Sequence, residues 1–316
     1  MKILPYILEL VQVLILLVGA PLFVGWIRRI KCWLQGRKSP SLFQPYFELL
    51  KLFSKDVYLA ENASWIFRFT PYLVFGITLL IGAIVPILII DLPFSTTADV
   101  IAIVGLFAIA RFFTALAGMD VGTAFGGMGS SRTMMIASLA EPAMLITVFT
   151  VSLTSHSTSL SQIVQTLTNN GILATLRPSF VFSLWAFLMI AVAETGRVPV
   201  DNPDTHLELT MIHETMLLEY SGRHLALMEW ASMMKLFLFI SIGKAVFMPW
   251  GIAQSGQLLA IPLALFFLII KFMVIGVILV GFETSLAKMR LFRTTEFLGA
   301  ALLIATLGML SYFILE

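Results

Sequence analysis

Long apolar runs alternate with short polar segments along the chain, and this pattern predicts a bundle of membrane-spanning helices. A helix needs about 20 mostly apolar residues to cross a bilayer. Eight runs approach that length, with spans expected near residues 3–27, 71–90, 98–118, 133–153, 178–194, 231–250, 257–280 and 297–315. The expected fold is therefore an all-α integral membrane protein of about eight transmembrane helices, built as a single polytopic domain over residues 1–316.

Composition agrees with this pattern. The chain is 59% hydrophobic and only 12% charged, whereas soluble domains carry about 25% charged residues. The first apolar run is longer than the apolar region of a signal peptide, so we interpret it as the first span. The single cysteine, Cys32, is expected in a basic loop. It excludes a disulfide framework and an iron–sulfur cluster ligated by this chain alone.

Lysine and arginine are concentrated on one side of the predicted spans. Of the 20 basic residues, fourteen fall in loops on one side and two on the other, and the remaining four lie within or at the edges of spans. Basic loops tend to stay in the cytoplasm during insertion. The long first loop and the acidic segment over residues 194–230 are therefore expected in the cytoplasm, with both chain termini outside.

Three segments between spans carry patterns of their own. The residues after Pro45 fit an amphipathic helix at the membrane surface, with apolar side chains at Phe47 and Leu50. Residues 118–132 hold five glycines without the spacing of a phosphate-binding loop, which indicates a turn where backbones pack closely. Residues 151–177 are rich in serine, threonine and asparagine and are interpreted as a flexible outer loop.

Polar residues are densest in residues 193–235, which hold seven of the 18 acidic residues and three of the four histidines. Asp201 or Asn202 can cap a helix whose first turn contains Pro203, and this helix is expected to end near Tyr220. Three carboxylates would share one face of the helix, and two histidines would lie on the opposite face. They are Asp204, Glu208 and Glu219, and His206 and His213 respectively. This separation argues against a metal site on the helix.

Several charged residues fall inside predicted spans, where an ionisable group costs about 2.5–3.5 kcal/mol to insert. Arg111 and Glu141 lie in the third and fourth spans, and Pro142 is expected to loosen the helix beside Glu141. The others are Lys244 and Lys271 near the middles of the sixth and seventh spans, and Lys235 and Glu283 nearer the cytoplasmic edge. Two interpretations stay open: buried ion pairs that fix helix packing, or a series of protonatable sites crossing part of the bilayer.

The sequence AETGRVPVDNPDTHLELT, followed by EYSG, resembles the signature of one family. Its members are the membrane subunits that join the peripheral arm to the membrane arm in respiratory complex I and in related hydrogenases. The positions that match or conservatively replace the signature are Glu194, Thr195, Arg197, Pro199, Asp201, Asp204, Glu208, Leu209, Glu219 and Tyr220. Residues 36–56 and 131–141 are similar to two further family segments, so the resemblance covers nearly the whole chain.

The departures from the family signature are informative. His206 stands where quinone-reducing members have a glutamate, and Val200 stands where they have a phenylalanine. The stretch between Leu209 and Glu219 is about three residues longer. These changes fall where the family's quinone cavity would lie. The segment PVDNPDTHLELTMIHE is closer to the hydrogenase-4 and formate hydrogenlyase type.

The resemblance implies a membrane-anchoring and coupling subunit of a complex-I-like, energy-converting nickel–iron hydrogenase-type assembly in a bacterial or archaeal cytoplasmic membrane. Such a subunit carries no redox cofactor or metal of its own. Hydrogenase-like large and small subunits on the cytoplasmic side would carry the nickel–iron centre and the iron–sulfur clusters. Antiporter-like membrane subunits would move protons or sodium, and the lipid bilayer rather than nucleic acid would surround the chain.

The resemblance also implies roles for single residues. A proton or charge relay is expected at Glu141, Glu194, Asp201, Asp204, Glu208 and Glu219. Cations that pair with these carboxylates, and so adjust how readily they take up protons, are expected at Arg111, Arg132, Arg197 and Lys235.

Three alternatives stay open. The chain could be the quinone-site subunit of an NADH:quinone oxidoreductase, or a relative whose soluble partner lacks the nickel ligands. It could be a stand-alone ion transporter, although the absence of an internal repeat argues against this. A passive anchor, whose acidic residues only dock the soluble arm, is a variant of the main interpretation.

Overall fold

The computed structural model describes residues 4–90, 92–94, 99–170, 177–201, 211–254 and 260–315, and these residues form ten α-helices and one two-stranded parallel sheet. The helices in chain order are α1 (Leu4–Leu34), α2 (Gln44–Phe53), α3 (Trp65–Ile84), α4 (Val100–Asp120), α5 (Ala124–Ser155), α6 (Leu160–Asn170), α7 (Pro178–Glu194), α8 (Gly222–Phe247), α9 (Ile261–Ser285) and α10 (Leu291–Leu315). The strands are β1 (Ile89–Ile90) and β2 (Ala253–Gln254), with Ile89 opposite Ala253 and Ile90 opposite Gln254.

Each predicted span lies on one of these helices, and the all-α membrane fold is confirmed. Seven of the described helices are long and apolar enough to cross a bilayer. The eighth, α7, has the predicted bounds of 178–194 and is shorter, at 17 residues. The largest differences are at helix starts. Helix α5 begins at residue 124 rather than 133, and α8 begins at 222 rather than 231, because each helix continues beyond its apolar run.

Residues 151–170 differ from the flexible outer loop that the composition of residues 151–177 predicts. Helix α5 continues to residue 155, and α6 covers residues 160–170. Leu160, Ile163, Val164 and Leu167 are buried, with the i, i+3, i+4 and i+7 spacing of one helix face. This short apolar stripe fixes α6 on the bundle despite the serines and threonines around it.

The predicted helix ending near Tyr220 is wrong over residues 211–220. This segment holds a single 3₁₀ turn, Glu214–Met216, between irregular turns. The carboxylate of Asp201 accepts two backbone N–H groups near the start of the segment, at 3.0 and 3.3 Å. The Asp201 side chain therefore satisfies backbone groups that a helix would have paired with its own carbonyl oxygens.

The helix predicted after Pro45 is confirmed as α2. It begins with a proline in its first turn, where the missing N–H has no helical partner to lose. Phe47 and Leu50 are exposed, whereas Leu49 is buried. Helix α1 extends to residue 34, so Cys32 lies in its last turn instead of in the predicted loop.

Helix α8 occupies the centre of the bundle. In its most apolar stretch 67% of the residues are buried, compared with 28% in α10. Helices α1, α2 and α3 pack around α8, while α10 packs on α5 and α7. Phe237 of α8 stacks on Phe272 of α9, with ring centroids 4.2 Å apart. The charged side chains of Lys235 and Lys244 on α8 are therefore held inside the protein rather than in lipid.

The chain between α3 and β1 is non-helical and yet buried. Inside a membrane, such backbone is tolerated only where other protein groups pair with it. Gln12 of α1 supplies four contacts. Its amide nitrogen donates to the carbonyl oxygens of residues 82 and 85 at 3.1 and 2.8 Å, and its oxygen accepts the N–H groups of residues 87 and 88 at 3.2 and 3.5 Å.

Two lysines complete this arrangement. Lys244 is buried and donates to the carbonyl oxygen of Ile87. Lys271 of α9 donates to two carbonyl oxygens in the turn that follows α8, one of them at 2.7 Å. We call Gln12, Lys244 and Lys271 the backbone clamp. Lys244 lies near the end of its helix rather than near the middle as predicted, because α8 ends at residue 247.

Candidate functional site

Four charged side chains from four helices form a continuous series of ion pairs. Arg111 of α4 contacts Glu141 of α5 through Nη1 and Glu194 of α7 through Nη2. Lys235 of α8 places its Nζ 3.0 Å from the second carboxylate oxygen of Glu194. The order of charges is therefore negative, positive, negative and positive. We call these four residues the ion-pair chain.

Burial changes along the ion-pair chain. The side chains of Arg111 and Glu194 are 7% and 5% exposed, and that of Lys235 is 16% exposed. Glu141 lies at the margin, with 36% of its side chain exposed. One end of the ion-pair chain therefore opens at the surface of α5. Its middle is screened from solvent, where charges interact more strongly than in water.

Each member of the ion-pair chain is placed by the helix that carries it. Arg111 and Lys235 lie near the middles of α4 and α8, and Glu194 is the last residue of α7. Lys235 is deeper in its helix than predicted, because α8 starts earlier than its apolar run. Helix α5 continues without a break through Pro142, so the expected loosening does not end the helix beside Glu141.

A second group of ion pairs connects the segment after α7 to α1 and to the chain around the α9–α10 junction. Arg197 Nη1 lies 2.9 Å from Glu283 Oε1, and Lys31 Nζ lies 3.6 Å from Glu283 Oε2. Lys288 Nζ lies 2.8 Å from Asp201 Oδ1. Arg197 thus pairs with a carboxylate outside the predicted relay. The partners Lys31 and Lys288 were not predicted, since in the sequence they resemble any other basic loop residue.

Two cavities meet at the ion-pair chain. One lies beside Glu194 and Asp201, and the other lies between α3, α4 and α8. Arg111, His213 and Lys235 line both cavities. Polar groups of this kind can hold water where a cavity has room for it. Arg111, His213 and Lys235 form a polar wall that the two cavities share.

His213 faces charges of both signs in this wall. Burial lowers the pKa of His213 from its ordinary 6.5 to about 4, and the Lys235 and Arg111 cations also lower it, while Asp201 and Glu194 act in the opposite direction. The imidazole is therefore neutral at physiological pH. Sequence reasoning considered this residue only as a metal ligand, and its position in the wall has no local signal in the sequence.

The glycines of residues 118–132 leave room for the segment that carries His213 to pack closely. A Cβ added at Gly129 would lie 2.2 Å from Thr215 Oγ1, and one added at Gly118 would lie 3.1 Å from Met216 Cγ. The predicted close packing of backbones is confirmed, although residues 124–132 are helical rather than a turn. The missing side chains thus let residues 211–220 approach α4 and α5.

The other predicted site residues are not members of the ion-pair chain as far as the structure describes them. Asp204 and Glu208 fall outside the described residues. Glu219 is exposed in the turn before α8. Arg132 donates to the carbonyl oxygen of Met211 at 2.8 Å and forms no ion pair within the described ranges. In the same ranges, no group of three or more His, Cys, Asp or Glu residues is arranged to hold a metal ion.

The chain is similar to several known proteins. The family model described as NADH dehydrogenase matches residues 8–314. Formate hydrogenlyase subunit 4 of Escherichia coli (strain K12) is 32% identical over 283 residues, which cover 89% of this chain and 90% of that protein. Hydrogenase-4 component C of the same organism is 32% identical over 286 residues, covering 90% and 88%. NADH-quinone oxidoreductase subunit 8 of Rhodothermus marinus is 27% identical over 235 residues, covering 71% and 67%.

A solved structure has the same fold. A chain in the structure of the membrane-bound sulfane sulfur reductase, an archaeal respiratory membrane complex, aligns with a TM-score of 0.83. The alignment covers 97% of this chain and 98% of that one, at 19% sequence identity. At this identity the likeness establishes the architecture of the helices and nothing about the chemistry.

Proposed function

The chain belongs to the NADH dehydrogenase family, and from this premise we propose that it is the membrane-anchoring and coupling subunit of a complex-I-like, energy-converting hydrogenase-type assembly. A soluble arm would carry out the redox chemistry, and this chain would link that chemistry to proton or sodium translocation. The observation that carries the proposal is the ion-pair chain, which sets alternating charges across four helices.

The hydrogenase-type relatives support the choice of assembly. They are more similar to the chain, and over a larger share of it, than the quinone oxidoreductase relative. We expect this chain to assemble with hydrogenase-like large and small subunits that carry a nickel–iron centre and iron–sulfur clusters. Antiporter-like membrane subunits would complete the assembly within the bilayer.

Orientation follows from the basic residues. We place α2, the acidic segment after α7 and the connection between α9 and α10 on the cytoplasmic side, with both termini outside, because lysine and arginine concentrate in these parts. The soluble arm would dock there, next to the end of α7 that carries Glu194. Redox chemistry in the arm would then lie close to the buried end of the ion-pair chain.

Glu194 is the residue whose protonation would change the ion-pair chain most. Its carboxylate is shared by Arg111 and Lys235. A proton on Glu194 removes the negative charge that holds both cations, so Lys235 is released and Arg111 turns more fully to Glu141. Loss of that proton restores the first arrangement. Each cycle therefore shifts charge along the four residues without an electron passing through them.

Glu141 is the residue at which charge would leave the chain. It lies near the middle of α5 with about a third of its side chain exposed. A charged group facing lipid at this depth costs about 2.5–3.5 kcal/mol. We therefore expect a partner membrane subunit to cover the face of α5 around Glu141, and to receive the charge there.

The quinone-site subunit of an NADH:quinone oxidoreductase is the second candidate. The cavity between α3, α4 and α8 favours it, because apolar walls end at the cations Arg111 and Lys235, a combination that suits an amphipathic ligand. Quinone bound to the purified assembly, together with sensitivity to quinone-site inhibitors, would support this candidate. Hydrogen production by an assembly that contains no quinone would exclude it.

Purification of the tagged chain in mild detergent, followed by mass spectrometry of the proteins that accompany it, tests the proposal. We expect a large subunit with nickel-ligating cysteines, iron–sulfur proteins and antiporter-like subunits. NADH-oxidising flavoprotein subunits would favour the quinone alternative. A chain that purifies alone, stable and monodisperse, would contradict a coupling role and favour an independent transporter.

A further inference from the structure

His213 has no place in the series of ion pairs, yet it stands where the two cavities meet. Its side chain lines the space beside Asp201 and also the space between α3, α4 and α8. Arg111 and Lys235 share this position but are engaged with Glu194. Of these three wall residues, His213 is the one that is not an ion-pair partner of Glu194.

Contacts on two sides fix the position of His213. Its backbone N–H donates to Asp201 Oδ2 at 3.3 Å. A Cβ added at Gly196 would lie 3.9 Å from His213 Cβ, so the histidine packs against the turn that follows Glu194. Gly196 has a φ of +61°, a conformation that glycine adopts without steric cost. The turn therefore brings the end of α7 and the histidine together.

Charged groups face His213 from each element packed around it. They are Arg111 from α4, Arg132 from α5 beside the preceding backbone, Glu194 from α7, Asp201 from the segment after α7, and Lys235 from α8. The carboxylates favour an imidazolium and the cations oppose it. Since charges of both signs act on the ring, a change in the pair between Glu194 and Lys235 alters the charge state that His213 prefers.

We infer that His213 is the residue that loads protons onto the ion-pair chain. One ring nitrogen takes a proton from water in the cavity beside Asp201, which makes the ring an imidazolium. The imidazolium then gives a proton to the carboxylate of Glu194, which becomes a carboxylic acid while the imidazole returns to its neutral form. Lys235 loses its partner and is released. The inference rests on the proposed function, because it assigns a step within the same relay.

The test uses the complete assembly purified through this chain and reconstituted in liposomes. Reduced methyl viologen supplies electrons, and a fluorescent pH indicator follows proton movement. His213→Gln and His213→Asn remove the titratable ring and keep a polar side chain. His224→Gln is the matched control, since His224 is also buried, at the start of α8, and lines neither of the two cavities.

We expect both His213 variants to keep electron transfer from the dye and to lose about 100-fold in coupled proton movement, the lower range for a positioned proton-transfer group. The coupled rate of the wild type should rise as the pH falls from 6.5 towards 4, and the variants should lack this rise. The control variant should behave as the wild type. A residue with a merely structural role would not change the pH profile.

The Glu141→Gln variant separates this inference from the proposed function. If Glu141→Gln stops proton movement while both His213 variants pump normally, the loading role is wrong and the proposed function stands. If Glu141→Gln also pumps normally, both are wrong. If neither His213 variant assembles, the wild-type profile decides, since a coupled rate that does not change between pH 6.5 and 4 overturns the loading role.

Discussion

Two regions of the molecule hold buried charges and use them differently. The ion-pair chain joins carboxylates and cations from α4, α5, α7 and α8. The backbone clamp joins Gln12, Lys244 and Lys271 to main-chain groups. A carboxylate can gain a proton and so change the charge that its neighbours meet, whereas a carbonyl oxygen cannot. The ion-pair chain is therefore suited to changing its charge state, whereas the backbone clamp is suited to keeping one arrangement.

Helix α8 contributes to both regions, and this allows a direct comparison. Lys235 and Lys244 are about 14 Å apart along its axis, at 1.5 Å per residue. Between them lies an aromatic layer, in which Phe239 stacks on Phe107 with ring centroids 4.9 Å apart and also contacts Phe187. The layer separates the two polar regions, so charge in the ion-pair chain has a shorter route sideways to Glu141 than onward to the backbone clamp.

The largest contrast is expected between Arg111→Leu and Lys244→Met. Arg111→Leu leaves two carboxylates without their shared cation, and we expect a loss of about 3–5 kcal/mol in the free energy of unfolding. Lys244→Met replaces an amine that has no carboxylate partner among the described residues by an apolar side chain of similar length, so the change should stay within about 1 kcal/mol. Tryptophan fluorescence during thermal unfolding in detergent measures both. Equal losses would remove the distinction between the two regions.

A change in the backbone clamp should reduce stability without changing coupling. Gln12→Leu removes four contacts to the non-helical backbone after α3. Buried backbone groups left unpaired cost about 1–3 kcal/mol each, and we expect a total loss of about 3 kcal/mol after relaxation. The assembled variant should still move protons in proportion to electrons. A variant of normal stability that loses coupling would reverse the roles of the two regions.

Substitutions at the glycines that pack against the segment carrying His213 should have a smaller effect on stability. In Gly129→Ala the new Cβ would lie 2.2 Å from Thr215 Oγ1, and overpacking of this kind costs about 1–3 kcal/mol. Gly127 lies on the same helix with open space around it, so Gly127→Ala should gain about 0.5–1 kcal/mol from helix propensity. Thermal unfolding of the two variants should move in opposite directions. A stable Gly129→Ala variant would show that the close approach is not needed.

The last contrast is a dependence of stability on pH. Because burial lowers the pKa of His213 from 6.5 to about 4, the unfolded chain binds this proton more readily than the folded chain between those values. The contribution of His213 to stability is therefore complete above pH 6.5 and is lost as the pH falls towards 4. His213→Gln should remove this part of the acid destabilisation. The difference in thermal unfolding between wild type and variant from pH 7 to pH 4 measures it, with the exposed His156→Asn as control, and parallel curves would contradict it.

The positions of the helices were predictable from the sequence wherever the length of an apolar run determined the structure. Helix α7 has the predicted bounds, because a proline marks its start and its apolar run ends at Glu194. Residues 160–170 and 211–220 were mispredicted because their structure depends on contacts with distant residues. The apolar stripe of α6 is too short to stand out, and the turns after residue 210 depend on Asp201.

The residues of the candidate site were predictable from the sequence, but the ion pairs between them were not. Arg111, Glu141 and Lys235 are visible in the sequence as charges within or at the edge of apolar runs, and the resemblance to the family signature identified Glu194. Their partners lie 30 to 83 positions away, and only the packing of four helices determines which charges meet. Arg132 shows the limit of this reasoning, because the resemblance implied that it pairs with a carboxylate, whereas its guanidinium donates to a carbonyl oxygen.

The most direct test of coupling through Glu194 is the ratio of protons moved to electrons transferred in the reconstituted assembly that contains Glu194→Gln. Glutamine keeps the shape of the side chain and removes its charge and its ability to take up a proton. If Glu194 changes state during each cycle, electrons should still flow from reduced methyl viologen while the ratio falls close to zero. A ratio equal to that of the wild type would mean that the ion-pair chain only holds helices together.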